Sequence, residues 1–268
     1  MSGIRLMRWG APILLLGLLL VCERRVVAAS TVQWMGFDRA ECCYLAPSLS
    51  TTERDAVRTL WRQARARIAE LYGPLRAQPR LVVADAATYP RFATGQTGMT
   101  HYLPTGHVIT VVGPRGHNAD VIAHELAHAE LVARVGYRAT NFCMPTWFDE
   151  GLAVQFDHRP PFTESIYFDR LRSGWRVPSL PGLATKAGFF AGTRDEVRFH
   201  YAAARVAVGR WLRAMSVAEA RQTLETIDCG EAWEERFRHI ASLLYVDEAA
   251  TPRRSELRSL PWASPRVR

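Results

Sequence analysis

Apolar side chains recur at three- and four-residue spacing through residues 51–72, at Val57, Leu60, Trp61, Ala64, Ile68 and Leu71, with arginines between them. That period gives a helix with one apolar stripe. Thr51 or Thr52 is placed to cap it, and Gly73-Pro74 ends it. Residues 80–84 (RLVVA) and 107–112 (HVITVV) are short runs rich in Val and Ile, bounded by Gly and Pro, and predict strands. The stretch between them, residues 89–106, is rich in turn residues. After a turn at Gly113-Pro114-Arg115-Gly116, a helix is expected over residues 118–135, with Asn118 as cap, Asp120 in the first turn and Gly136 as stop. A second helix should begin after Pro145, where Thr146-Trp147-Phe148-Asp149 has capping-box spacing with Asp in place of the usual Glu or Gln. Residues 159–198 are punctuated by Pro and Gly and read as a covering loop region. Helical patterning returns over residues 198–215, 217–227 and 231–243, and a basic, flexible tail follows Thr251-Pro252. Strands and helices are segregated along the chain, which implies an α+β fold.

The amino terminus has a different pattern. Arg5 and Arg8 precede an apolar run over residues 11–22, too short for the ~20 residues of a membrane-spanning helix. It fits the apolar region of a secretory signal, with Val26-Val27-Ala28-Ala29-Ser30 as the cleavage region. Glu23-Arg24-Arg25 is more charged than such a signal requires, so an uncleaved membrane anchor is the alternative. Lipoprotein processing at Cys22 fits less well, because Val21 is bulky. Each reading exports the body of the protein to the periplasm, the exterior or a membrane surface. The chain divides into a signal peptide or anchor (1–29), one working domain (30–249) and a basic tail (250–268).

Composition sharpens this division. The 268 residues carry a net charge of +8, and all but one of the 34 basic residues are arginine, Lys186 being the exception. Residues 1–29 hold four Arg and one Glu, and residues 250–268 hold five Arg and one Glu. The middle therefore keeps 25 basic and 24 acidic residues, a net of +1. A near-neutral body does not suit a nucleic-acid binder, and no nucleic-acid partner is expected. With Cys22 set aside, Cys42, Cys43, Cys143 and Cys229 remain. They lack the paired spacing of a zinc ribbon. Adjacent Cys42 and Cys43 are poor partners for each other, so the alternatives are cross-pairing with Cys143 and Cys229, or buried thiols. Nothing in the pattern sets the oligomeric state.

The candidate chemistry lies in the helix over 118–135, which contains His124-Glu125-Leu126-Ala127-His128. Histidines at i and i+4 lie one turn apart on one face, so both rings can reach one metal, with Glu125 placed to take a proton from a water there. Trp147-Phe148-Asp149-Glu150-Gly151-Leu152-Ala153 follows, with Glu150 22 residues after His128. A carboxylate on a second helix, after a connection delimited by Gly136 and Pro145, can supply a third ligand and leave one position open.

HExxH followed by WFDEGLA resembles the gluzincins, metallopeptidases with a glutamate third ligand, and in particular their small peptidase-MA-like members. The resemblance covers residues 105–215. It implies a zincin-like fold with a small mixed sheet, an HExxH helix and a mainly helical carboxy-terminal half. It further implies Zn2+ held by His124, His128 and Glu150, with Glu125 as general base. In thermolysin-like members an Asp four residues after the ligand Glu orients a histidine, but Val154 stands there. Asp149 and Asp157 are the candidates to replace it, with capping favoured for Asp149. Members of the group supply an oxyanion donor from a later helix, which points to Tyr201, with His200 second. Zincins also place an edge strand beside the metal, and 107–112 precedes the HExxH helix in the matching order. His101, His107, His117, His158 and His239 have no ligand spacing among themselves. The expected function is hydrolysis of a peptide or protein substrate by zinc-activated water. The alternatives are an inactive, peptidase-like zinc-binding or scaffold protein of the cell envelope, and nucleic-acid binding through the tails.

Overall fold

The structure, a computed structural model, describes residues 24–40, 43–95, 97–103 and 105–245. The apolar run at 11–22, Cys22, Cys42 and the basic tail lie outside the described residues. Helix α1 (Arg24–Ser30) leads into strands β1 (Asp38–Ala40) and β2 (Cys43–Leu45). Helix α2 (Thr51–Tyr72) then turns Val57, Trp61, Ala64, Ile68 and Leu71 inward, as its period predicts. Its cap is Ser50, one residue before the expected threonines. The Ser50 side chain accepts from the Glu53 N–H, and the Glu53 carboxylate accepts from the Ser50 N–H at 2.8 Å. Gly73 stops the helix at φ +74°, a conformation that favours glycine.

β3 (Arg80–Val83), the short helix α3 (Tyr89–Phe92), β4 (Gly98–Tyr102) and β5 (Val108–Val112) follow. The sheet order is β1-β2-β3-β5-β4, with β2, β3 and β5 parallel and β1 and β4 antiparallel at the two edges. This corrects one expectation. The 107–112 strand is interior, paired on both sides and buried at all five positions of β5. The edge is β4, within the stretch that reads as turns. Its sequence GMTHY has no branched aliphatic residue and starts on glycine, so it lacks the signal of a core strand. Side chains alternate across β4. Thr100 reaches helix α4 (Ala119–Arg138), while His101 bonds the Phe92 carbonyl of α3, so the two helices cover opposite faces.

The carboxy-terminal half is helical: α5 (Thr146–Ala153), α6 (Glu164–Arg172), α7 (Lys186–Phe189), α8 (Arg194–Arg213), α9 (Val217–Leu224) and α10 (Glu231–Ser242). The whole is a mixed α+β fold. Residues 159–198 are more regular than expected, because α6 and α7 are too short for a periodic pattern to show. They bury Tyr167, Leu180, Leu183 and Phe189. Helix α8 begins four residues before the expected 198, where Thr193 and Glu196 form a capping box. Among the described residues, no helix is long and apolar enough to cross a membrane.

Cys143 and Cys229 pair with each other across 86 residues, an arrangement that neither alternative read from the sequence named, and Cys43 is buried. The bond ties the turn after α4 to the start of α10. Closing so long a loop removes unfolded-state freedom equivalent to about 4–5 kcal/mol in the chain-entropy picture. Cys143→Ser with Cys229→Ser should therefore lower stability by about 2–5 kcal/mol, read as a reduced urea midpoint, with a steeper slope because the unfolded chain is less compact.

Candidate metal centre

Asn118 opens α4 by accepting from the Val121 N–H at 2.9 Å. The helix then buries residues 121–132, and His124 and His128 come to lie one turn apart with ring centroids 4.9 Å apart. Glu150 arrives on α5. That helix is held by Trp147, Phe148, Gly151 and Leu152, which face the core. Phe148 packs on Phe237 at 5.0 Å and on Trp211 at 5.6 Å. A Cβ at Gly151 would lie 2.8 Å from the Ala204 carbonyl, so this glycine permits the close approach of α5 to α8. With that face committed to the core, Asp149 and Glu150 turn toward α4.

The Nε2 atoms of His124 and His128 are 3.2 Å apart, and Glu150 Oε2 lies 3.3 Å from the first and 3.6 Å from the second. A tetrahedral zinc with ligand bonds of about 2.0–2.1 Å separates its ligand atoms by about 3.3–3.4 Å, so the triangle fits. Glu150 Oε2 and His124 Nδ1 are buried with no hydrogen-bond partner. A buried carboxylate oxygen without a donor is costly unless a cation meets it. These three residues form the one group among those described that could hold a metal ion. The other histidines do not join it.

Two carboxylates stand behind the histidines. Asp149 Oδ1 accepts from His128 Nδ1 at 2.7 Å, which fixes the tautomer that leaves Nε2 facing Glu150. This overturns the capping role expected for Asp149. The start of α5 has no side-chain cap, and its Thr146 N–H is satisfied by the Ala184 carbonyl at 2.8 Å. Asp157 Oδ2 lies 3.8 Å from His124 Nδ1. Val154 is fully buried, and the chain makes one tight turn beyond it before presenting Asp157. Arg205 holds that turn through the carbonyls of Val154 and Asp157, and Arg159 clamps the Asp157 carboxylate through Nε and Nη2. Asp149→Asn should weaken zinc binding by about 10–100-fold, measured by competition with a chromogenic chelator.

Electrostatics agree with a cation site. Burial opposes the His128 imidazolium, but Asp149 and Glu150 outweigh it and raise the pKa well above the ordinary value. Burial likewise pushes Glu150 up, yet the two histidines bring it below the ordinary carboxylate range. Glu125 is raised by burial, partly offset by His124, His128 and a 2.7 Å hydrogen bond from Thr100 Oγ1 to its Oε2. A Cβ on Gly98 would come within 2.8 Å of Glu125 Oε1, so glycine there leaves room for the glutamate in its present position. Neither Thr100 nor Gly98 was visible as a site residue in the sequence. Their signal is the alternation of Gly98, Thr100 and Tyr102 along one face of β4.

The Tyr201 ring lies 6.3 Å from that of His124, propped by Phe162 at 5.0 Å and Phe189 at 4.9 Å. Burial, then the charges of Glu150 and Glu125, raise its pKa well above the ordinary value, so it stays a neutral donor. His200 instead turns its Nδ1 to the Phe189 carbonyl at 2.8 Å. No protein-family model matches the chain, and no curated protein matches it.

Proposed function

We propose that the protein is an exported, zinc-dependent metallopeptidase of the gluzincin type, with a zincin-like fold. The observation that carries this reading is the convergence of His124, His128 and Glu150 on one point, with Glu125 beside them. Three protein ligands, rather than four, match zinc sites that keep a position open for chemistry. The small sheet with an edge strand against the HExxH helix supports the fold assignment, and the disulfide is compatible with export.

Zinc, when bound, supplies Lewis-acid polarisation of a carbonyl and makes water a better nucleophile at neutral pH. The chain's own residues do the rest. Glu125 accepts the proton of the attacking water on its carboxylate and returns it to the leaving amine. Its burial-raised pKa suits both steps. Thr100 holds Oε2, so the proton goes to a carboxylate of fixed orientation. Tyr201 donates its phenolic hydrogen to the carbonyl oxygen as negative charge develops there. The open edge of β4 offers backbone N–H and C=O groups to an extended peptide, which lies beside Glu125 as an added strand.

The test is cleavage of a peptide library by the zinc-loaded full chain. Chelation by 1,10-phenanthroline should abolish cleavage and added zinc should restore it. Stoichiometric zinc with no cleavage of any peptide or protein would assign the site to a binding or scaffold protein.

A further inference from the structure

A cleft of about 720 Å³ opens across the starts of β3 and β5, between β1 and α4. Arg39, Arg76, Arg80 and His107 line it with Ser30 and Tyr44, and no Asp or Glu does. Arg80 is fixed: its Nη1 donates to the Ser30 carbonyl at 2.8 Å, and its guanidinium lies over the Tyr44 ring at 5.4 Å. Arg76 pairs with Glu225 at 2.8 Å, and His107 meets Thr105 at 3.0 Å. Arg39 is exposed, with no hydrogen bond or ion pair among the described residues. A concave wall with three arginines and no acidic lining residue, only Arg76 being paired with a carboxylate from outside it, favours an anion, and guanidinium matches phosphate geometry.

Three observations indicate where the anion comes from. The apolar run ends at residue 22, two residues before α1 begins, and the last residue of α1, Ser30, is part of the cleft wall. Seven helical residues span only about 10 Å, so the start of α1 at Arg24 lies about that far from the cleft wall. Helix α1 is also built into the body. Ala29 is fully buried, Ser30 is held by Arg80, and the segment expected to be cut is thus part of the packed structure. Four residues beyond Ser30, Trp34 is 77% exposed, and tryptophan favours the membrane–water interface. A short apolar segment alone is a weak anchor, and a basic patch is the usual second contact.

We propose that this cleft holds the phosphate of an anionic lipid headgroup. The apolar run stays in the bilayer, and the cleft wall bearing Arg39 and Arg80 rests on the membrane. The proposal is independent of the peptidase reading. Its test is phenylglyoxal labelling of arginines in the full chain, reconstituted into vesicles of phosphatidylcholine alone or half phosphatidylglycerol, and read by mass spectrometry. Labelling of Arg39 should fall about fivefold on the anionic vesicles and be unchanged on the neutral ones, with Arg62 on α2 unaffected by lipid. Arg39→Gln should lower flotation with anionic vesicles by a similar factor. Equal labelling on both lipids would overturn the proposal. So would equal protection by inorganic phosphate without vesicles, which would assign the cleft to a soluble anion.

Discussion

Glu125→Gln is expected to lower peptide hydrolysis by about 10²–10⁴-fold while zinc stays bound. The substitution preserves shape and keeps an acceptor for the Thr100 hydroxyl, but the amide cannot take a proton from water. It also places a neutral group where burial already opposes charge, so folding should be preserved or improved. The measurement is kcat on a peptide identified by library cleavage, beside the zinc content of the same sample. Loss of zinc together with activity would show that Glu125 holds the site's structure rather than moving a proton. Unchanged kcat would remove it from the reaction.

Glu150→Ala should abolish zinc retention and with it all cleavage. The site would then offer two imidazoles as ligands; Asp149 and Asp157 are occupied by His128 and by Arg159, and Glu125 is held by Thr100. Its effect on affinity should exceed the about 10–100-fold expected for an outer partner such as Asp149. Removing the carboxylate also strips His128 of one of its two acidic neighbours, so some stability is lost along with the metal. Circular dichroism separates loss of metal from loss of fold.

Much of this centre was legible in the sequence because helices carry their geometry locally. The spacing from His124 to His128 fixes two rings on one face. Asn118 and Gly136 bound the first helix, and Pro145 precedes the second. What was not legible depends on long-range packing. Asp149 looks like a cap from its distance to Thr146, and only the approach of α5 to α4 turns it to His128 instead. Asp157 is displaced from the familiar spacing by one tight turn, and that turn is set by Arg205, 48 residues on. Strand β4 has no core signal of its own. Its pairing with β5 and its contact with Glu125 make it a strand, and the interior place of β5 follows from that pairing. Disulfide connectivity was open for the same reason, since no spacing rule joins Cys143 to Cys229.

The central claim is that His124, His128 and Glu150 together hold one zinc ion. Metal analysis of the purified full chain, with Glu150→Ala and His128→Ala prepared in parallel, tests it most directly. The account predicts about one zinc per wild-type chain and essentially none in either variant at preserved helical signal. No zinc in the wild type after reconstitution, or undiminished zinc in both variants, would contradict it.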